Sequence, residues 1–361
     1  MTTIDDPTTN GVAPAATLTP STADIHQRTI GIARSGDEDL GPLAMLPGVW
    51  ANCGSTGDAL VGRGWNLIAL PHIGAGRPDY RVLLNQFNER LEFSLVDKNV
   101  PNRGVRRNDP SGLPNANTDQ QVGTLDYEQS IEQIASADNL GTDLAGKRGD
   151  AIHHEPGLFL YMQNETEPGP NIGRLATVPH GDAVLALGKH IPNDHVVAGM
   201  PAIAPVDVFP IGVPAGSGYL APYQFFIDSP FQGDNASFDI SKVSDMMNSV
   251  NSAVEIERTT ILSLDTETDG GISNIPFVVK QADATSMTST FWIQELTEKD
   301  NDGHPRLRLQ YLQIVMLDFF DRIDGTEGLI RWPHVSFNTM EKISNTPDAG
   351  YGALKVWSSD E

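Results

Sequence analysis

The chain has a single cysteine, Cys53, in 361 residues, so no intrachain disulfide can form and nothing in the cysteine usage points to an oxidising compartment. No histidine lies within fifteen residues of it, which favours a small buried filler over a nucleophile with a base at hand. Basic residues are also few. Twenty-four Lys and Arg against 47 Asp and Glu leave a formal charge of −23, which repels phosphate backbones and anionic lipid and argues against nucleic acid as a partner. No apolar run approaches the ~20 residues of a membrane-spanning helix. The start, Met1 to Asp6, lacks the basic and apolar regions of a signal peptide, so a cytoplasmic protein with no membrane contact is expected. What is present, 39% hydrophobic and 20% charged residues, is the composition of a folded chain able to bury a sizeable core.

Helical periodicity is scarce as well. From Leu43 onward, short runs alternate apolar and polar residues between clusters of Gly, Pro, Asn and Asp, the pattern of many strands joined by turns. Leu91, Phe93 and Leu95 share one face against Glu92 and Ser94, and Leu125, Tyr127 and Ile131 alternate with Asp126, Glu128 and Ser130. Leu307, Leu309 and Tyr311 oppose Arg308 and Gln310 before the run turns apolar on both faces at Ile314 to Leu317, an end that should be buried. Ten or more such strands, with hairpin signals at Asp302-Gly303 and Asp324-Gly325, predict a mainly β protein: an antiparallel closed barrel of lipocalin or calycin type, with long loops and one or two short helices. A two-sheet sandwich shares the same alternation.

The expected organisation is a mobile arm over 1–39, one barrel domain over 40–345 and a tail over 346–361. Pro101 to Asn117 reads as a long surface loop. An insertion at about 191–253 contains a helix with Val243, Met246, Met247, Val250 and Val254 on one face, capped by Ser241. It reads as a lid over one barrel end or as a layer packed on the outer wall. Phe225, Phe226 and Phe231 within it would, if exposed, form a patch for a homo-oligomer.

Several motifs fail on their own chemistry. Asp265-x-Glu267-x-Asp269-Gly270 opens like a calcium loop, but its twelfth position is Pro276 and strand patterns flank it. Gly54-Ser55-Thr56-Gly57 has no following Lys or helix, and Gly216-Ser217-Gly218 is not a nucleophile elbow. His153 and Glu155 can share a strand face while His154 cannot, so the cluster supplies two metal ligands at most, and Glu155 is better read as fixing the His153 tautomer. On a strand, His334, Ser336 and Asn338 share a face opposite Val335 and Phe337. An imidazole so placed can project into a cavity and bind iron axially, although a lone histidine is more often a satisfied core or surface residue.

Taken in order, several segments resemble the nitrobindin-type heme-binding proteins, which share a fatty-acid-binding-protein-like barrel. They are Leu43-Ala44-Met45-Leu46-Pro47-Gly48-Val49-Trp50, Leu125-Asp126-Tyr127-Glu128-Gln129, His153-His154-Glu155-Pro156-Gly157, Ala176-Thr177-Val178-Pro179-His180-Gly181, and Tyr311 to Met316 followed by the region of His334. The resemblance implies heme b with His334 as the proximal iron ligand, His153 on the distal, catalytic side, and Trp50 among the cofactor-binding residues. It also implies action on a small reactive nitrogen or oxygen species, as a peroxynitrite isomerase or a peroxidase-like enzyme. Ala51-Asn52-Cys53-Gly54 departs from the family's Gly-x-Gly after the Trp. The competing reading is a non-catalytic carrier of an apolar small molecule, lipid-like, held in the barrel.

Overall fold

A computed structural model describes residues 30–32, 35–52, 60–74, 76–106, 111–113, 116–163, 169–178, 180–190 and 196–347. Cys53, the Gly54–Gly57 motif, most of the arm and the tail from 348 lie outside them. Sixteen strands are present: β1 Ile30–Ile32, β2 Gly48–Ala51, β3 Gly64–Gly74, β4 Arg77–Arg106, β5 Ala116–Asp138, β6 Ala151–Met162, β7 Ile172–Val178, β8 Asp182–Gly188, β9 Val196–Ala198, β10 Phe231–Gln232, β11 Ser237–Phe238, β12 Ile256–Asp265, β13 Gly271–Asn274, β14 Asp283–Lys299, β15 Pro305–Asp321 and β16 Leu329–Ser344. Three short helices join them: α1 Ala221–Asp228, α2 Val243–Ser252 and α3 Pro276–Gln281.

Every pairing in the large sheet is antiparallel, and the sheet closes on itself where β8 meets β12 and β13. The result is a closed antiparallel barrel of ten strand positions, two of which are filled by two segments in tandem: β2 then β3 between β4 and β16, and β12 then β13 between β8 and β14. Closure removes the edges an open sheet would expose. The two predicted Asp-Gly turns join β14 to β15 and β15 to β16, with Gly303 and Gly325 at φ +84° and +90°. The acidic motif from Asp265 is the turn between β12 and β13, where Asp265 Oδ1 accepts the backbone N–H groups of Glu267 and Thr268 at 2.9 and 2.6 Å.

At the break between β2 and β3, Asn52 does with its side chain what a strand does with its backbone. Its amide oxygen accepts the Glu89 N–H of β4 (2.7 Å) and its amide nitrogen donates to the Thr339 carbonyl of β16 (3.1 Å), with a reciprocal pair to Asn338. Both flanking strands thus keep their partners across the interruption.

One end of the barrel is plugged. The turn Glu38–Leu43 and the chain after it send Leu40, Leu43 and Leu46 into a fully buried cluster with Trp50, Phe93, Leu125 and Phe159. Gly41, at φ +51°, lies against the Tyr161 ring, where any Cβ would collide. Lys342 ties the plug down: its Nζ donates to the Met45 carbonyl (2.7 Å) and Ser35 Oγ (3.0 Å) and sits 5.1 Å from the Trp50 ring centroid. Burial holds its pKa down at about 7.

The insertion packs on the outer wall and is not a lid. Trp65, Leu67, Tyr80 and Val82 of β3 and β4 and Val335 and Phe337 of β16 form one buried cluster with Tyr223, Phe226, Phe231, Phe238, Val243 and Met247. α2 is locked on by a buried amide ladder, Asn251 to Gln310 at 2.8 Å and Gln294 to Asn251 at 2.9 Å. This layer explains the doubly apolar run of β15: Leu312 and Ile314 face the insertion while Val315 faces inward. Of the three phenylalanines considered for an exposed patch, Phe226 and Phe231 are buried and only Phe225 is exposed. Asp239, not Ser241, supplies the capping oxygen ahead of α2.

Within the expected surface loop from Pro101 to Asn117, the described residues are largely strand. β4 and β5 pair from Pro101–Gln121 to Arg106–Ala116 as a ribbon running past the barrel. A two-stranded ribbon has free outer edges, so a proline there need not interrupt a ladder; that is why composition misled.

Candidate functional site

Opposite the plug, the inward rows change character. His334 is surrounded by protein yet keeps part of its surface accessible, as do Ser336, Asn66, Ile68, Gln313 and Val315 on the neighbouring inward positions. Burial, with His153 and His180 nearby, pushes the His334 pKa down to about 3, so its imidazole is neutral at physiological pH.

The tautomer of that imidazole is dictated from a distance. The Lys147 carbonyl can only accept, and it accepts Gln133 Nε2–H at 3.0 Å. Gln133 Oε1 must then accept from Asn85 Nδ2, Asn85 Oδ1 from Asn66 Nδ2 (2.9 Å), and Asn66 Oδ1 from His334 Nε2 at 2.6 Å. His334 therefore carries its hydrogen on Nε2 and keeps a lone pair on Nδ1, for which no hydrogen-bond partner occurs among the described residues. Two-dimensional 1H–15N spectra of the imidazole should show the Nε2–H form with no titration between pH 5 and pH 8 as ordinary histidine shows near its ~6.5. A midpoint in that window would contradict this arrangement.

A second group of residues lies across the same region. His153 Nε2 is 3.2 Å from Glu155 Oε2, and its ring centroid is 5.8 Å from that of His180 at the turn between β7 and β8. Glu155 is held in turn by Arg174 (2.6 Å) and by the Tyr127 hydroxyl; Arg174 also donates to Tyr127 (3.0 Å) and to Gln313 (2.6 Å). Burial alone would raise the Glu155 pKa, but the Arg174 guanidinium, with His153 and Tyr127, outweighs it and holds the carboxylate at about 2. Deeper toward the plug, Glu89 accepts from Tyr311 (2.7 Å), Asn338 (2.9 Å) and Gln129 (2.7 Å). Burial raises its pKa and these neutral donors only partly oppose that.

The structure thus brings His334 and His153 to one end and leaves Trp50 at the other. Trp50 pairs with Lys342, eight residues along β16 from His334, about 26 Å at ~3.3 Å per residue. Its indole N–H is spent on the Leu46 carbonyl at 2.8 Å, so its role is in the plug. His154 faces outward beside Glu128. Among the described residues no group of three or more His, Cys, Asp or Glu is placed to hold a bare metal ion. Arg174, Tyr127, Asn66 and Gln313 were not singled out for the site from the sequence. Arg174 carried a signal, a lone cation on the inward row of an otherwise apolar strand.

No family model matches the chain, and no curated protein matches it. Among solved structures it is similar to the crystal structure of Rv2717c from M. tuberculosis, at 14% identity and a TM-score of 0.31, with 84% of this chain and 95% of that chain covered. The barrel itself is defined by its strand register.

Proposed function

We propose that this is a ligand-binding barrel whose histidine end holds heme b through His334. The observation behind this reading is the neutral imidazole with an anchored tautomer: a ligating histidine typically donates its other ring N–H to an oxygen acceptor, and either ring nitrogen can serve as the ligand. Here Asn66 is that acceptor and Nδ1 holds the free lone pair. A porphyrin brings four nitrogen ligands of its own, so one protein imidazole suffices and a cluster of protein ligands is not needed.

Bound there, heme would supply a redox-active iron for chemistry on a small oxidised nitrogen or oxygen species such as peroxynitrite or peroxide. The chain's own residues orient and exclude. The Gln133–Asn85–Asn66 relay sets the His334 ring, and Arg174 fixes Glu155, which orients His153 as the group able to exchange a proton with a small molecule. The aromatic packing toward the plug keeps water from entering behind it. The carrier reading draws on Ile68 and Val315, which add partly exposed apolar surface on the inward rows beside His334.

Titrating the purified protein with hemin should give a shifted, sharpened Soret band that His334→Ala loses while its far-UV spectrum stays that of a folded β protein. An unchanged Soret band in the natural protein, or the same shift in the variant, would overturn the ligation. Native mass spectrometry showing an iron-free lipid would favour the carrier.

A further inference from the structure

The end of the barrel that carries the histidines is bordered by exposed apolar side chains. Ile73 (67% exposed) stands at the turn between β3 and β4, Leu144 (62%) in the link from β5 to β6, and Phe277 (70%) and Val279 (49%) on α3 between β13 and β14. Ile323 (47%) lies in the turn between β15 and β16, and Ile211 (48%) is in the insertion at an isolated bridge to Arg331. In an antiparallel barrel these connections fall at the same end, so the six residues surround one mouth. α3 buries none of its residues. At the plugged end the arrangement is reversed: Leu40, Leu43 and Leu46 are sealed inside.

Each of the six exposes about half of the ~200 Å² of a large apolar side chain, which gives on the order of 600 Å² in all. A stable interface takes ~800 Å² from each partner, a little over half of it apolar. Together the six therefore expose about the apolar area that one side of such an interface needs. We infer that the mouth is a docking face for a second copy of this chain, the two copies meeting rim to rim about a twofold axis. A closed twofold pair satisfies the rim with one self-complementary contact and covers both mouths. A neutral bilayer is the competing occupant of such a rim, and vesicle flotation separates the two.

The net charge gives the pairing a signature. Two copies at −23 repel, and the contact between them is apolar, so added salt should strengthen association by screening. Sedimentation velocity of the full chain from low to high micromolar protein, at low and high salt, should show a dimer that grows with salt. Phe277→Asp with Ile73→Asp should raise the dissociation constant by at least about tenfold, and Val279→Lys alone should weaken it, with thermal melting of the monomer unchanged. Ile343→Asp, at the plugged end next to Lys342, should leave the dimer intact. A natural chain that is monomeric throughout, a dimer indifferent to the rim variants, or a monomer that floats with phosphatidylcholine vesicles would each overturn the proposal. None of these readouts depends on whether heme binds.

Discussion

Arg174→Met should destabilise the barrel by about 3–5 kcal/mol at neutral pH, the usual cost of stranding one member of a buried ion pair. Arg174 and Glu155 have side chains only 4% and 2% exposed, and the guanidinium reaches Glu155, Tyr127 and Gln313 at once. Removing it leaves a carboxylate with only His153 and the Tyr127 hydroxyl. The pH dependence has a definite sign. Glu155 has a folded pKa near 2, below its unfolded value of 4.5, so its contribution is present above the unfolded value and is lost as pH falls through about 2. In the variant the folded pKa moves up instead, so the gap between the two proteins should narrow as pH falls from 7 toward 3. Urea unfolding at several pH values measures this. Arg174→Met with Glu155→Leu should be milder than Arg174→Met alone, because no charge is then stranded; a single variant no worse than the double would contradict the pairing.

Trp332→Ala should cost about 3–5 kcal/mol, the range for emptying a buried aromatic site. The indole is fully buried, stacked on Phe319 at 4.7 Å and 9° and packed on Tyr80 at 4.4 Å, with its N–H on the Phe319 carbonyl at 3.0 Å. It lies where the registered pairing of β16 with β3 has ended at Val335–Leu67, and Tyr219 of the insertion approaches both Tyr80 and Trp332 there. The insertion completes the wall at this point, so loosening it should weaken the whole domain in one cooperative transition. Phe225→Ala, on the exposed side of α1, should stay within about 0.5 kcal/mol of the natural chain. Thermal and urea melts compare the two, and a Trp332→Ala loss below about 1 kcal/mol would mean that the insertion is not part of the wall.

The barrel was readable because period-two alternation is a local signal that survives in one sequence: Leu91 and Phe93, Leu125 and Tyr127, and Leu307 to Tyr311 all point inward as their spacing predicts. The doubly apolar stretch at Ile314 to Leu317 announced burial on both sides but not what covered the outer one. That depends on a fragment more than fifty residues earlier in the chain, and no local pattern encodes such a contact. His153 with Glu155 was legible from i, i+2 spacing on a strand. The control of His334 was not, because its relay runs through Asn66, Asn85 and Gln133 on three strands and ends on a backbone carbonyl. Trp50 was misplaced for the opposite reason: a motif fixes sequence position, whereas which end of a barrel a residue occupies depends on strand direction.

Because the Asn52 amide stands in for a peptide unit between Glu89 and Thr339, the tube does not need an unbroken main chain at that position. The carbonyl of Leu60 also accepts from Asn52. A cut or an added stretch between Asn52 and Leu60 should therefore spare the hoop of hydrogen bonds around the girth, which makes this the natural place to split the polypeptide into two halves that reassemble.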